Sequence, residues 1–147
     1  MTKRTIAKRI NPLDLDYFLS RCAKEDNKIA LPLFRLLANY GLRPEEVQNL
    51  MLADLTEDKL YIAPHGNQEE RILSLDEKTS QALHEWANLQ ETPLLFPISL
   101  AEMEDLLQNI ARKAGINNIS LQDFRYTLQE DLRIMNVPAA KIRDMLG

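Results

Sequence analysis

Cysteine is almost absent from this chain. Only Cys22 carries a thiol, so no internal disulfide can form, and Cys22 is most simply a small buried side chain in a protein of the reducing cytoplasm. Long apolar runs are missing too. Nothing approaches the ~18 consecutive apolar residues of a membrane span, and the opening Met-Thr-Lys-Arg-Thr-Ile-Ala-Lys-Arg lacks the apolar stretch of a secretion signal. A membrane partner is therefore not expected. No His/Cys/Asp cluster has metal spacing and no glycine-rich phosphate loop is present, so no metal or other cofactor is expected either. Internal repeats and low-complexity linkers are also lacking.

What remains is a chain of 147 residues, 45% hydrophobic, the size of one domain with a proper core. Its net charge of −4 is unevenly spread. Residues 1–9 carry Lys3, Arg4, Lys8 and Arg9 without an acid, which leaves 14 basic residues against all 22 acidic ones in the rest. An acidic body argues against strong nonspecific DNA affinity, and a basic arm argues for some. The arm, residues 1–10, reads either as a DNA contact or as a solvated, frayed terminus.

The pattern after it is helix upon helix with one hairpin. Asn11-Pro12 opens a helix with Leu13, Tyr17 and Arg21–Cys22 on one face. Residues 29–40 form a second, striped by Leu33, Leu36, Leu37 and Tyr40, and Gly41 closes it as a left-handed residue. Pro44 starts a short helix with Glu45 and Glu46 in its first turn and Val47, Leu50 and Met51 on its buried side. Residues 60–62 and 71–75 are β-like runs around the turn cluster Pro64-His65-Gly66-Asn67. Asp76 and Ser99 cap two further helices, the first running through Leu83 and Trp86, the second stopping at Gly115. His84, on the first of these, is expected to face solvent. Ser120 begins another helix, Asn136-Val137-Pro138 breaks it, and a last short one runs to Leu146-Gly147. The fold class expected is mainly α with a small antiparallel β-hairpin.

Two of these helices carry an arginine at or near their start: Gly41-Leu42-Arg43-Pro44 and Gln122-Asp123-Phe124-Arg125-Tyr126. A guanidinium offers a fork of donors that fits two oxygens of a phosphate and stays charged. Taken alone, either arginine is a surface ion pair worth little.

Together the motifs resemble the catalytic domain of the tyrosine recombinases, the phage-integrase family, over residues 11–147 as a single domain. In that family a helix ends in Thr-Gly-Leu-Arg with an acid three positions on, and here the chain has Tyr40-Gly41-Leu42-Arg43 and Glu46. Asp54 matches a downstream Asp, and Glu70-Arg71-Ile72-Leu73-Ser74-Leu75 keeps the second half of the family hairpin. Leu95-Phe96-Pro97, Ala114-Gly115-Ile116 and Val137-Pro138 follow in the family's order, and Met145-Leu146-Gly147 resembles the opening of its Leu-Gly-His box. The resemblance implies that Arg43 and Arg125 hold a DNA phosphate, with Glu46 supporting them and Gln122 able to hydrogen-bond a phosphate oxygen.

The departures concern proton transfer and the nucleophile. The family's hairpin lysine has no counterpart. His65 is the nearest substitute, with an unperturbed pKa of about 6.5, but its reach is shorter and a role-free turn histidine is the plainer reading. The family's His-x-x-Arg-His becomes Gln122-x-x-Arg125-Tyr126, and an amide does no acid–base work near neutral pH. Tyr126 stands where a histidine is usual and is expected to pack, not to attack. The family's tyrosine nucleophile follows the Leu-Gly-His box, whereas Tyr17, Tyr40, Tyr61 and Tyr126 all fall elsewhere. The family's N-terminal DNA-clamping domain is not expected within the first 28 residues. Three classes of function stay open: a DNA-binding, cleavage-incompetent recombinase relic serving recombination or regulation; a fragment of an active site-specific recombinase; and an interaction module that has lost DNA. DNA, bound weakly by the chain alone, is the expected partner, with another recombinase subunit or self-association as the route to tighter binding.

Overall fold

The computed structural model describes residues 6–147, so Lys3 and Arg4 of the basic arm lie outside the described residues. Seven α-helices and one hairpin follow in order: α1 Pro12–Lys24, α2 Ala30–Tyr40, α3 Pro44–Gln48, β1 Lys59–Ile62, β2 Arg71–Ser74, α4 Glu77–Ala87, α5 Leu100–Lys113, α6 Leu121–Ile134 and α7 Ala139–Leu146. Each start has a local cause. The Asn11 side chain accepts the Leu13 N–H at 2.9 Å with Pro12 at the first helical position, and Asp76 accepts the Thr79 N–H at 2.7 Å. At α5, Ser99 Oγ accepts the Glu102 N–H while Glu102 accepts the Ser99 N–H, both at 3.1 Å. Ser120 starts α6 by donating its N–H to Asp123 Oδ2 at 2.9 Å. β1 and β2 pair antiparallel, Lys59 opposite Ser74 and Ile62 opposite Arg71.

Helix α2 is the central element, with α1, α4 and α6 packed around it. Leu33, Phe34, Leu36 and Leu37 are fully buried, so the helix is apolar nearly all round, as a helix enclosed by others must be. Phe18 of α1, Phe34 of α2 and Phe124 of α6 meet with ring centroids 4.9 to 5.7 Å apart. This trio locks the helix carrying Arg125 to the helix that leads to Arg43. A second pair, Trp86 stacked on Phe96 at 6.3 Å, fastens α4 to the loop before α5, with the indole N–H donating to the Leu95 carbonyl.

Two apolar faces differ from the sequence expectation. Leu13 and Tyr17 are exposed, and α1 instead buries Phe18 and Cys22, with Leu15 and Leu19 packed beside them. The stripe is thus 15, 18, 19, 22, a true i, i+3, i+4, i+7 set, rotated from the one anchored on Leu13. Met51, expected inside, is 38% exposed, because the chain has left α3 and runs as an extended pair with the 93–95 segment, Leu95 N–H to the Leu50 carbonyl at 3.0 Å. His84 is also less free than expected: its Nε2–H is shared between the Thr56 and Glu57 carbonyls, 2.9 Å from each.

The end of the basic arm lies against α6. The Lys8 N–H donates to Asp123 Oδ1 at 2.9 Å, the Ile10 N–H to Thr127 Oγ1 at 2.8 Å, and Arg9 pairs with Asp131 at 2.7 Å. Ile10 joins the core.

Candidate functional site

The site begins where α2 must stop. Gly41 has φ +66°, and a Cβ there would lie 3.1 Å from both Leu128 Cδ2 and Leu146 Cδ2; backbone conformation and space both demand glycine. The reversal drives Leu42 into the core and leaves Arg43 extended at the head of α3, with Pro44 in the first helical position. Glu46, one turn on, turns back and accepts the Arg43 N–H at 2.8 Å. Arg125 sits in the second turn of α6, held over the same place by the Phe124 packing beneath it.

The two arginines meet. Arg43 Nη2 and Arg125 Nη2 each donate to the Gly147 carbonyl at 2.8 Å. Arg125 Nη1 also donates to the Gly41 carbonyl at 2.7 Å and the Leu146 carbonyl at 2.8 Å. The Gly147 main-chain oxygen thus bridges the two guanidiniums. Burial, then the neighbouring charge of Arg43, opposed by Glu46 and reinforced by Arg71, pulls the Arg125 pKa down to about 10. It stays charged at neutral pH.

A third arginine belongs to the cluster. Arg71, the first residue of β2, donates to both oxygens of Glu46, Nη1 to Oε2 at 2.6 Å and Nη2 to Oε1 at 3.1 Å. The Glu46 side chain is 1% exposed and that of Arg71 9%. Burial pushes the Glu46 pKa up, but the Arg71 hydrogen bonds, the Arg43 N–H and the two positive charges together hold it below the usual carboxylate range. Two guanidiniums, those of Arg71 and Arg43, therefore flank one carboxylate, with Arg125 beside Arg43. The sequence motif Glu70-Arg71 marked the hairpin but not this role; the only signal was a charged residue heading a strand whose next inward residue is Leu73.

The other singled-out residues are placed apart. His65 is exposed on the hairpin turn, its main chain paired with Gln68, and its ring makes no hydrogen bond among the described residues. Gln122 is exposed on α6 and lines a groove with Pro44 and Glu45, beside the start of α3. Tyr126 is half-buried. Asp54 accepts the Met51 N–H at 2.8 Å and so shapes the turn before β1. Of the other tyrosines, Tyr40 accepts the Asp76 N–H at 2.7 Å through its hydroxyl, Tyr61 donates to Glu70 at 2.6 Å, and Tyr17 lies exposed on α1. Beside Arg71 lies an open cavity of about 380 Å³ whose lining includes Glu69, Glu70, Arg143, Asp144 and Gly147.

No protein-family model matches the chain, and no curated protein does. Solved structures do. The crystal structure of XerA recombinase superposes with a TM-score of 0.77 at 17% identity, over 98% of this chain and 57% of that one. XerH site-specific recombinase bound to its difH substrate gives 0.79 at 19% identity, over 97% and 47%. The catalytic domain of bacteriophage HP1 integrase gives 0.75 at 15% identity, over 97% and 81%. The fold is that of the catalytic domain of tyrosine recombinases and integrases. The chain spans roughly half the length of XerA and XerH, 57% and 47% respectively.

Proposed function

We propose that this chain is a DNA-binding domain of the recombinase type that grips a backbone phosphate through Arg43 and Arg125, with Glu46 and Arg71 fixing the grip, and serves recombination or its regulation without cutting DNA itself. The observation that carries this reading is the convergence of two guanidiniums, from α3 and α6, on a single oxygen. Gln122 lies one turn before Arg125 on α6, suited to a further phosphate oxygen. Neither an amide at 122 nor a turn histidine at 65 supplies the proton transfer that strand cleavage needs, and no tyrosine hydroxyl is hydrogen-bonded into the cluster among the described residues. The reading places the protein in the cytoplasm, as a domain over residues 11–147, with DNA as partner and a second subunit or copy as the source of tight binding.

The acids lining the cavity beside Arg71, Glu69, Glu70 and Asp144, favour a second reading: an interaction module whose surface repels a polyanion. Fluorescence-anisotropy titration of labelled duplex at two salt concentrations separates the two. Weak binding that falls steeply with salt, and falls further by about ten- to hundredfold in Arg43→Ala or Arg125→Ala through loss of a charge-assisted contact worth ~1.5–3 kcal/mol, supports the phosphate grip. Folded protein with no binding at low salt leaves the interaction module.

A further inference from the structure

We propose, resting on the phosphate-gripping reading, that Asp123 and Thr127 are positioning residues: by seating the main chain of Lys8–Ile10 they stop α6 from rolling about its axis and so keep Arg125 in register with Arg43. Asp123, Thr127 and Asp131 recur every four residues and form one stripe down α6. The segment before α1 lies on that stripe as a strap. The Lys8 N–H donates to Asp123 Oδ1 at 2.9 Å, the Ile10 N–H to Thr127 Oγ1 at 2.8 Å, and Arg9 between them pairs with Asp131 at 2.7 Å. Asp123 is 1% exposed and Thr127 3%. Each also bonds its own helix: Asp123 Oδ2 accepts the Ser120 N–H at 2.9 Å, and Thr127 Oγ1 donates to the Asp123 carbonyl at 2.6 Å. The strap is therefore tied to the first two turns of α6, where Arg125 sits. The Arg9–Asp131 pair is solvent-exposed and of little weight beside the two buried sites.

Arg125 falls midway between Asp123 and Thr127 in sequence. At about 100° per residue it stands on the far side of the helix from the strap, with the buried Leu121 and Phe124 on the arc between. There its Nη1 donates to the Gly41 carbonyl at 2.7 Å, on the turn that leads to Arg43. Helix α6 is thus held by directional bonds on both flanks of its buried face. The contact between those flanks, Phe124 against Phe18 and Phe34, is apolar and non-directional, so it does not by itself set the roll. A roll of about 10° at the helix's outer radius of ~5–6 Å moves a side chain by about 1 Å. That displacement takes the Arg125–Gly41 hydrogen bond out of range.

The test reads the Arg125 guanidinium directly, by nitrogen-edited NMR of the exchange of its protons with solvent in the intact chain. Thr127→Val keeps the shape of the side chain and removes its oxygen. Lys8→Pro withdraws one donor of the strap and leaves the sequence of α6 untouched. Arg35, whose Nε donates to Thr79 Oγ1 at 2.9 Å on the α2–α4 contact, is the internal reference. Both variants are expected to speed exchange at Arg125 by about tenfold, roughly the factor that one lost hydrogen bond supplies, with Arg35 unchanged. Thr127→Ser, which restores the oxygen, and Asp131→Asn, which loses only the exposed pair, are expected to stay near the wild type. Unchanged exchange at Arg125 in either Thr127→Val or Lys8→Pro overturns the proposal, and so does faster exchange at Arg35 as well, which marks general loosening. Duplex titration then separates the proposal from the reading it rests on. Thr127→Val is expected to weaken duplex binding by about tenfold in the wild-type background and to have no further effect on Arg125→Ala. An equal loss in both backgrounds overturns the positioning role and leaves the DNA reading standing. Faster exchange confined to Arg125, in a wild type that binds no duplex, supports the strap and removes the DNA reading.

Discussion

Replacing Arg71 by Met is the most searching test of how the arginine cluster is held. Arg71 is the bidentate partner of Glu46, and both side chains are buried, 9% and 1% exposed. Methionine fills much of the arginine stem's volume but strands the carboxylate. Removing one member of a buried pair costs about 3–5 kcal/mol, chiefly from the uncompensated charge left behind. Against a typical total stability of roughly 5–15 kcal/mol, that is a large share, and with urea slopes of about 1–3 kcal/mol per molar it moves the unfolding midpoint by around 2 M. The pH dependence carries the diagnostic sign. In the wild type the Glu46 pKa is lowered on folding, so its contribution is present above the unfolded carboxylate range and lost as pH falls through the folded value. Without Arg71, burial, which already acts to raise that pKa, dominates, and protonation then favours the folded state. Urea unfolding at about pH 7 and about pH 4 should therefore show a large deficit that shrinks in acid, and Glu46→Gln in the same background should recover most of it at neutral pH. A deficit below about 1 kcal/mol, or one equal at both pH values, would refute the claim that this carboxylate is buried and held by Arg71.

Gly41→Ala should lower the thermal midpoint by about 2–8 °C, since a left-handed L-residue costs roughly 1–2 kcal/mol and a domain of this size loses ~2–4 °C per kcal/mol; the new methyl also presses on Leu128 and Leu146, so an unchanged midpoint would mean the α2–α7 junction is looser than described. A nicked suicide substrate should yield no covalent protein–DNA adduct by denaturing gel, and an adduct abolished by mutating Tyr17, Tyr40, Tyr61 or Tyr126 would overturn the placement of those hydroxyls outside the arginine cluster.

Local chemistry made most elements legible before the coordinates. Gly41, Pro44 and the capping side chains Asn11, Asp76 and Ser99 each act on the backbone within four residues, so their meaning does not depend on the rest of the fold. The α1 face was harder, because Leu13 and Leu15 compete on composition alone, and only the Phe18–Phe34–Phe124 packing decides which side turns inward. At the site, Arg43 and Arg125 were legible from their motifs, whereas Arg71 was not: its partner Glu46 is on another element, and no periodicity links the head of a strand to the first turn of a distant helix. The docking of Lys8–Ile10 on Asp123 and Thr127 escaped for the same reason, since main-chain donors in an irregular segment leave no side-chain pattern.

What the hairpin contributes bears on why binding is proposed without cutting. A cation at the hairpin turn can serve as a proton donor only if it reaches the reacting oxygen with a pKa that permits transfer. Here the turn, His65 through Glu70, carries an exposed histidine and two acids and offers no such cation. Of the hairpin's cations, Lys59 at the head of β1 donates to Ser74 Oγ at 2.8 Å, and Arg71, the first residue of β2, is already committed to Glu46; a guanidinium keeps its protons throughout the physiological range. Its effect is electrostatic and geometric: it holds the carboxylate that holds the Arg43 main chain, and it adds a third positive charge beside Arg125. On the proposed reading, the braced guanidiniums hold an anion, and the one carboxyl paired with them, Glu46, is kept ionised by Arg71 and Arg43. The same bracing explains why the body's negative charge need not abolish binding. Glu46 is neutralised inside the cluster by Arg71, and the remaining acids along the cavity, Glu69, Glu70 and Asp144, act at its rim, where solvent and salt screen them more than they screen the buried arginines. Raising salt should therefore weaken the rim repulsion as well as the long-range attraction of any extended strand.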